Sequence, residues 1–155
     1  MSRWSHIALR VLQGILAGAN LGLSAYVVNW YDKSTSQYPP SSVDFLLFAS
    51  LFSVMSLLYL ELVPRFAQRF HHPYASLSIE GLNTTFYFAG FIAFAVWVGS
   101  LTFCQGHVCR VSRGDAVVAA GAFSAWIAST ISTAKQIIIG GAEARRKARQ
   151  FREMP

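Results

Sequence analysis

The sequence predicts an all-α integral membrane protein: a four-helix transmembrane bundle with short loops and both termini in the cytosol. Three observations carry that expectation. Charged residues make up 13% of the chain, about half of the ~25% usual in soluble domains. Hydrophobic residues make up 54%, and mean hydropathy is +0.39. Four apolar runs are each long enough to cross ~30 Å of hydrocarbon as a helix.

The runs are 9–30 (LRVLQGILAGANLGLSAYVVNW), 45–64 (FLLFASLFSVMSLLYLELVP), 82–103 (LNTTFYFAGFIAFAVWVGSLTF) and 115–139 (DAVVAAGAFSAWIASTISTAKQIII). Each is too long for one barrel strand. Lipid offers no partner to open backbone groups, so each is expected to be helical. The connections span 14, 17 and 11 residues, which leaves no room for a soluble domain. Residues 1–141 form the four-span domain and 142–155 a basic tail. The first run is too long for a signal-peptide core and lacks a small-residue cleavage site, so no cleavable signal is expected.

Orientation follows from the basic residues, which accumulate on the cytosolic side of membrane proteins. Arg3, Arg10, Arg65, Arg69, Lys135, Arg145, Arg146, Lys147, Arg149 and Arg152 share one side, ten in all, against Lys33, Arg110 and Arg113 on the other. Trp4 at one end of the first run, and Trp30 and Tyr31 at the other, suit the two interfaces. The segments 31–44 and 104–114 then face outside or the organelle lumen.

Both cysteines, Cys104 and Cys109, fall in that second outer segment, where disulfides form and persist. They close a six-residue loop and are read as a disulfide. Free thiols and a metal site are the alternatives. With His107 they supply only three zinc ligands, at a spacing unlike a zinc knuckle. Thiol redox relay in a four-helix membrane protein uses two cysteine pairs, and there is one here. The Arg113-Gly114-Asp115 triplet has the form of an integrin-binding tripeptide. Its bland reading has a mechanism: Ser112 and Asp115 fit a capping box, which starts the fourth helix near 115.

Within the membrane, small residues allow close backbone approach. Gly14, Gly18 and Gly22 recur every four residues on the first helix, and Gly121, Ala125, Ser129 and Thr133 do so on the fourth. Both ridges are expected to be helix-packing surfaces, within one bundle or between copies. Intramembrane charge, the usual mark of a transport path, is sparse. Glu61 lies near the inner end of the second run, four residues before Arg65, and Asn20 is mid-span. These two form the candidate polar intramembrane site. Adjacent His71 and His72 lack partner ligands at useful spacing. The Asn83-Thr84-Thr85 sequon lies at the inner end of the third run, the wrong side for a glycan. The tail brings Arg145, Arg146, Lys147, Arg149 and Arg152 to the cytosolic surface as candidate contacts for anionic lipid.

Two stretches, HHPYASLSIEGLNTTFYFAGFIAFAV at 71–96 and FCQGHVCRVSRGDAVVAAGAFSAWIAS at 103–129, resemble the MARVEL domain, and fungal MARVEL-like proteins most of all. The shared features are a third helix with an aromatic opening, an outer cysteine loop, and an alanine-rich fourth helix with phenylalanine and tryptophan. The resemblance covers nearly the whole chain. It implies a role in membrane apposition, vesicle trafficking and lipid microdomains, including the eisosome domains of fungal non-classical export proteins. It brings no catalytic residue.

The expected function is therefore non-enzymatic organisation of the plasma membrane or a secretory-pathway membrane. The partners are membrane lipids (anionic, and sterol or sphingolipid), further copies of the chain or other membrane proteins. No nucleic acid, cofactor or metal is expected. The rival readings are a small transporter or channel subunit using Glu61 and Asn20, and a thiol oxidoreductase.

Overall fold

In the computed structural model, which describes residues 3–34, 38–66, 73–100 and 106–153, four helices account for nearly every described position. They are α1 (Arg3–Ser34), α2 (Ser41–Phe66), α3 (Pro73–Ser100) and α4 (His107–Glu153). All four are long and apolar enough to cross a membrane. Each helix packs on the next in sequence, and α4 returns against α1, so the bundle closes as a ring.

The helices outrun the apolar segments because hydropathy marks the hydrocarbon, not the helix. α3 begins at Pro73 rather than 82. Proline suits a first helical position, where its missing N–H costs no bond. α4 begins at His107 rather than 115. Gly106, with φ +120°, turns the chain into it, a backbone angle that glycine adopts without strain. Ser112 and Asp115 therefore do not cap α4: both are buried, more than a turn inside the helix. α2 passes through Pro64 to end at Phe66. α4 has 47 residues, ~70 Å at 1.5 Å per residue. That is about twice the hydrocarbon thickness, so its last turns stand in the headgroups or beyond.

Each helix buries one stripe at three- and four-residue spacing. On α1 the stripe is Gln13, Ala17, Asn20, Ser24 and Val27; on α2 it is Val43, Leu46, Ser50, Ser53 and Ser56. α3 contributes Glu80, Asn83, Tyr87 and Phe94, and α4 contributes Ser112, Asp115, Ala119, Ala122, Trp126 and Ser129. The polar residues lie inside, and large apolar ones such as Val11, Ile15, Met55, Val96 and Val117 point outward. A lipid-facing surface gains nothing from polar groups and offers them no partners, which reverses the soluble pattern.

The glycine ridge of α1 takes the outward side of that division. Gly18 and Gly22 are exposed, and a Cβ built on either meets no atom within 4 Å. Gly14 approaches only Leu57, at 3.9 Å from such a Cβ. The α1 ridge is thus an outward face and not a seam of this bundle. On α4, a Cβ at Gly121 would lie 3.6 Å from Leu16, and Ala125 and Ser129 are buried. The tightest glycine is Gly90 on α3, whose added Cβ would stand 2.7 Å from Leu46 Cδ2 and 3.3 Å from Phe45 Cδ1. Around it Phe45, Phe48, Phe52 and Phe86 interlock α2 with α3. Phe88, Phe91 and Phe123 join α3 to α4.

Candidate functional site

The buried polar residues gather into two clusters on the bundle axis. The first lies toward the end that carries the chain termini. There Arg10 of α1 forms an ion pair with Glu80 of α3. Ser129 of α4 donates to the same Glu80 oxygen at 2.7 Å. Arg10 also donates to Gln13 Oε1 at 3.1 Å, and Gln13 donates to the Ala125 carbonyl at 3.3 Å. One turn further along α3, Asn83 accepts from Ser53 at 2.6 Å and donates to Ser56 at 2.9 Å, both on α2. Thr84 and Thr130 share a hydrogen bond at 3.1 Å.

The second cluster lies toward the opposite end. Ser24 of α1 donates to Asp115 Oδ2 at 2.7 Å, and Asn20 donates to the Asp115 carbonyl at 3.4 Å. Ser50 of α2 donates to Asn20 Oδ1 at 2.8 Å. Tyr87 sits between the clusters, fully buried, beside Ser50 and Ser53. Serine, asparagine and threonine bonds of this kind join helices where no hydrophobic effect can. Here they tie all four helices together.

A cavity of about 540 Å³ opens at the first cluster, lined by His6, Arg10, Tyr74, Ser76, Thr133 and Gln136 among others. Gln136 and His6, both in its wall, are hydrogen-bonded at 2.9 Å. A second hollow, of about 450 Å³, lies between α1 and α2 and is mostly apolar, with Val11, Leu57 and Leu58 in its walls. Arg10 and Glu61 are its polar members.

Glu61 and Asn20 do not meet. Glu61 is exposed on the outside of α2, whereas Asn20 is buried in the second cluster. The polar intramembrane site expected from these two is corrected accordingly: Asn20 belongs to it and Glu61 does not. The residues that sequence reading missed are Glu80 and Asp115. Glu80 fell two positions before the third apolar run as drawn, and Asp115 was taken for a cap. A signal existed in the spacing: Glu80, Asn83 and Tyr87 stand at i, i+3 and i+7, one face of a helix. Asn83 of the sequon is committed to Ser53 and Ser56 inside the bundle. Asp115 of the Arg-Gly-Asp triplet is fully buried, so the triplet is not displayed.

Cys109 is half-buried in the first turn of α4, and Cys104 lies outside the described residues, as do His71 and His72. Arg145, Arg146, Lys147 and Arg149 are exposed on the last turns of α4. The side chain of Arg152 is outside the described residues.

Four membrane-length helices closed on a polar axis define an integral membrane protein of the four-span class. The chain belongs to the MARVEL family, described as a membrane-associating domain, whose pattern matches residues 3–134. Comparison with curated proteins and with solved structures returns no match.

Proposed function

We propose that this MARVEL protein organises the membrane around it, gathering lipids and neighbouring proteins into microdomains of the plasma membrane or a secretory-pathway membrane, as in eisosome-type assembly and vesicle trafficking. The work is done by shape, lipid contact and lateral association, without catalysis. The observation that carries the reading is the run of α4 past the hydrocarbon as an exposed basic helix. Arg145, Arg146, Lys147 and Arg149 lie within two turns of one another on it, with Arg152 one turn on. Each basic side chain close to an anionic leaflet contributes ~1 kcal/mol, fading within a Debye length.

Cytosolic termini fit this role, since anionic lipids concentrate in the cytosolic leaflet. Residues 142–155 then act as a tail distinct in task from the four-span part at 1–141, though α4 runs unbroken from one into the other as far as Glu153. The outward glycine face of α1 is the surface proposed for contact with a second copy or another membrane protein, and sterol or sphingolipid is proposed to fill the grooves between helices. A Cys104–Cys109 bridge would pin the loop that leads into α4. In support, no described cysteine is free.

The test is flotation of the full chain reconstituted in phosphatidylcholine vesicles against added phosphatidylserine vesicles. Changing the five basic residues to glutamine should abolish vesicle clustering at low salt and leave reconstitution intact. Clustering that persists in the variant would reduce the tail to a topology signal.

A further inference from the structure

The two hollows of the bundle have one residue in common, Arg10. In the cavity of about 540 Å³ its neighbours are largely polar: His6, Tyr74, Ser76, Thr133 and Gln136. No described acidic residue lines that cavity. In the groove of about 450 Å³ its neighbours are chiefly aliphatic, with Glu61 as the acidic member. Both volumes fall within the ~300–1,000 Å³ of small-molecule sites. A polar space and an apolar space with one guanidinium in both walls have the chemical plan of a phospholipid.

Their level in the bilayer agrees with that plan. His6 and Arg10 bracket the start of the first apolar run at 9, and Tyr74 and Ser76 stand before the third at 82. Gln136 and Gly140 bracket the end of the fourth at 139. The cavity therefore sits where headgroups lie. The groove continues inward along the seam of α1 and α2. Its walls step at i, i+4 and i+7 on each helix: Ile7, Val11 and Gly14 on α1, and Val54, Leu58 and Glu61 on α2. Ile7, Val11 and Leu58 are each more than half exposed, so the groove is open to lipid. Seven residues of helix rise ~10 Å, enough for the upper part of one acyl chain. Every lipid tail can compete for such a groove, so selectivity must come from the headgroup.

Arg10 is prepared for a phosphate. Two of its five N–H groups go to Glu80 and Gln13, which fixes the planar fork, and its side chain remains 21% exposed. A guanidinium held in place loses little freedom on binding, and its other N–H groups match phosphate oxygens. Glu80 is 0% exposed and lines neither hollow, so a ligand meets the cation and not its partner. The hydroxyls of Tyr74, Ser76 and Thr133, with the Gln136 amide, both donate and accept. They suit a headgroup that carries hydroxyls, whereas a headgroup ammonium finds no carboxylate in the cavity.

We propose that the two hollows form one site for an anionic glycerophospholipid, with its phosphate on Arg10, a hydroxyl-bearing headgroup in the cavity and one acyl chain in the α1–α2 groove. The site deepens the reading of the protein as an organiser of lipids and rests on it. It gives this one groove to a phospholipid chain in place of sterol or sphingolipid. Its ligand is a single lipid held by the four-span part, not the leaflet met by the tail.

The experiment uses the full chain in detergent, supplied with phosphatidylinositol and phosphatidylcholine in equal amounts, with bound lipids counted by native mass spectrometry. The wild type should retain one phosphatidylinositol per chain, at about tenfold preference over phosphatidylcholine. Two variants change exposed side chains and leave Arg10 with Glu80. Gln136→Glu places a negative charge in the cavity, and Val11→Trp fills the groove. Each should cut retention about tenfold with the unfolding midpoint unchanged. Glutamine at the five basic tail positions should leave retention intact even where vesicle clustering is lost, so the site and the tail fail separately. Equal retention of the two lipids overturns the site, as does retention that survives both variants or is lost with the tail charges. Displacement by inositol phosphate would make it a site for free phosphate, and displacement by cholesterol would return the groove to sterol; either result overturns the proposal.

Discussion

Gly90 is the glycine with the least room for a side chain. Alanine there gains helix propensity of ~1 kcal/mol, and that gain is opposed by the fully buried Leu46, whose Cδ2 would have to shift. Leucine has no such balance. Gly90→Leu should cost about 1–3 kcal/mol or more by overpacking and should lower the midpoint of thermal unfolding in detergent. Gly18 gives the contrasting case, because a side chain there meets nothing within the protein. Gly18→Leu should leave the unfolding midpoint in detergent unchanged and reduce crosslinking between copies in a bilayer. A fall in the midpoint would place Gly18 inside the bundle after all.

At the scale of the element, α4 serves three surroundings in one unbroken helix: a first turn from His107 that follows the bend at Gly106, a membrane span against α1 and α3, and a basic projection after Gly141. The Cys109 side chain stands at the first of these. A bridge to Cys104 would close six residues and contribute on the order of 2 kcal/mol in the chain-entropy account. Differential alkylation should leave both thiols unlabelled until reductant is added, and Cys109→Ser should lower the folded yield. Full labelling without reductant would show two thiols. The projection at the other end of α4 was legible as a basic run beyond the last apolar residue. The length of the helix was not, since helix continues wherever alanine, arginine and glutamate allow it, whether or not lipid is present.

For the whole molecule the expected topology is an even number of crossings with both ends in the cytosol. Tags at the two termini should be digested together, or protected together, when sealed vesicles are treated with protease. Opposite fates would mean an odd number of spans and contradict the four-helix ring. The number of helices, their class and their order followed from chain chemistry alone, because only an uninterrupted apolar helix satisfies its backbone in ~30 Å of lipid. Which way each helix turns was decided by the tertiary structure. Apolar residues occur all round these helices, so hydropathy could not orient them; Gly18 and Gly22 face outward, and of the polar pair Asn20 faces inward while Glu61 does not. Gln13, Asn20, Glu80, Asn83 and Asp115 face inward because only the facing helices supply partners for them. Those partners lie from 27 to 112 residues away in sequence, as in Ser56 with Asn83 and Ala125 with Gln13. The helices were therefore written in the sequence, and the polar axis between them exists only once all four are packed.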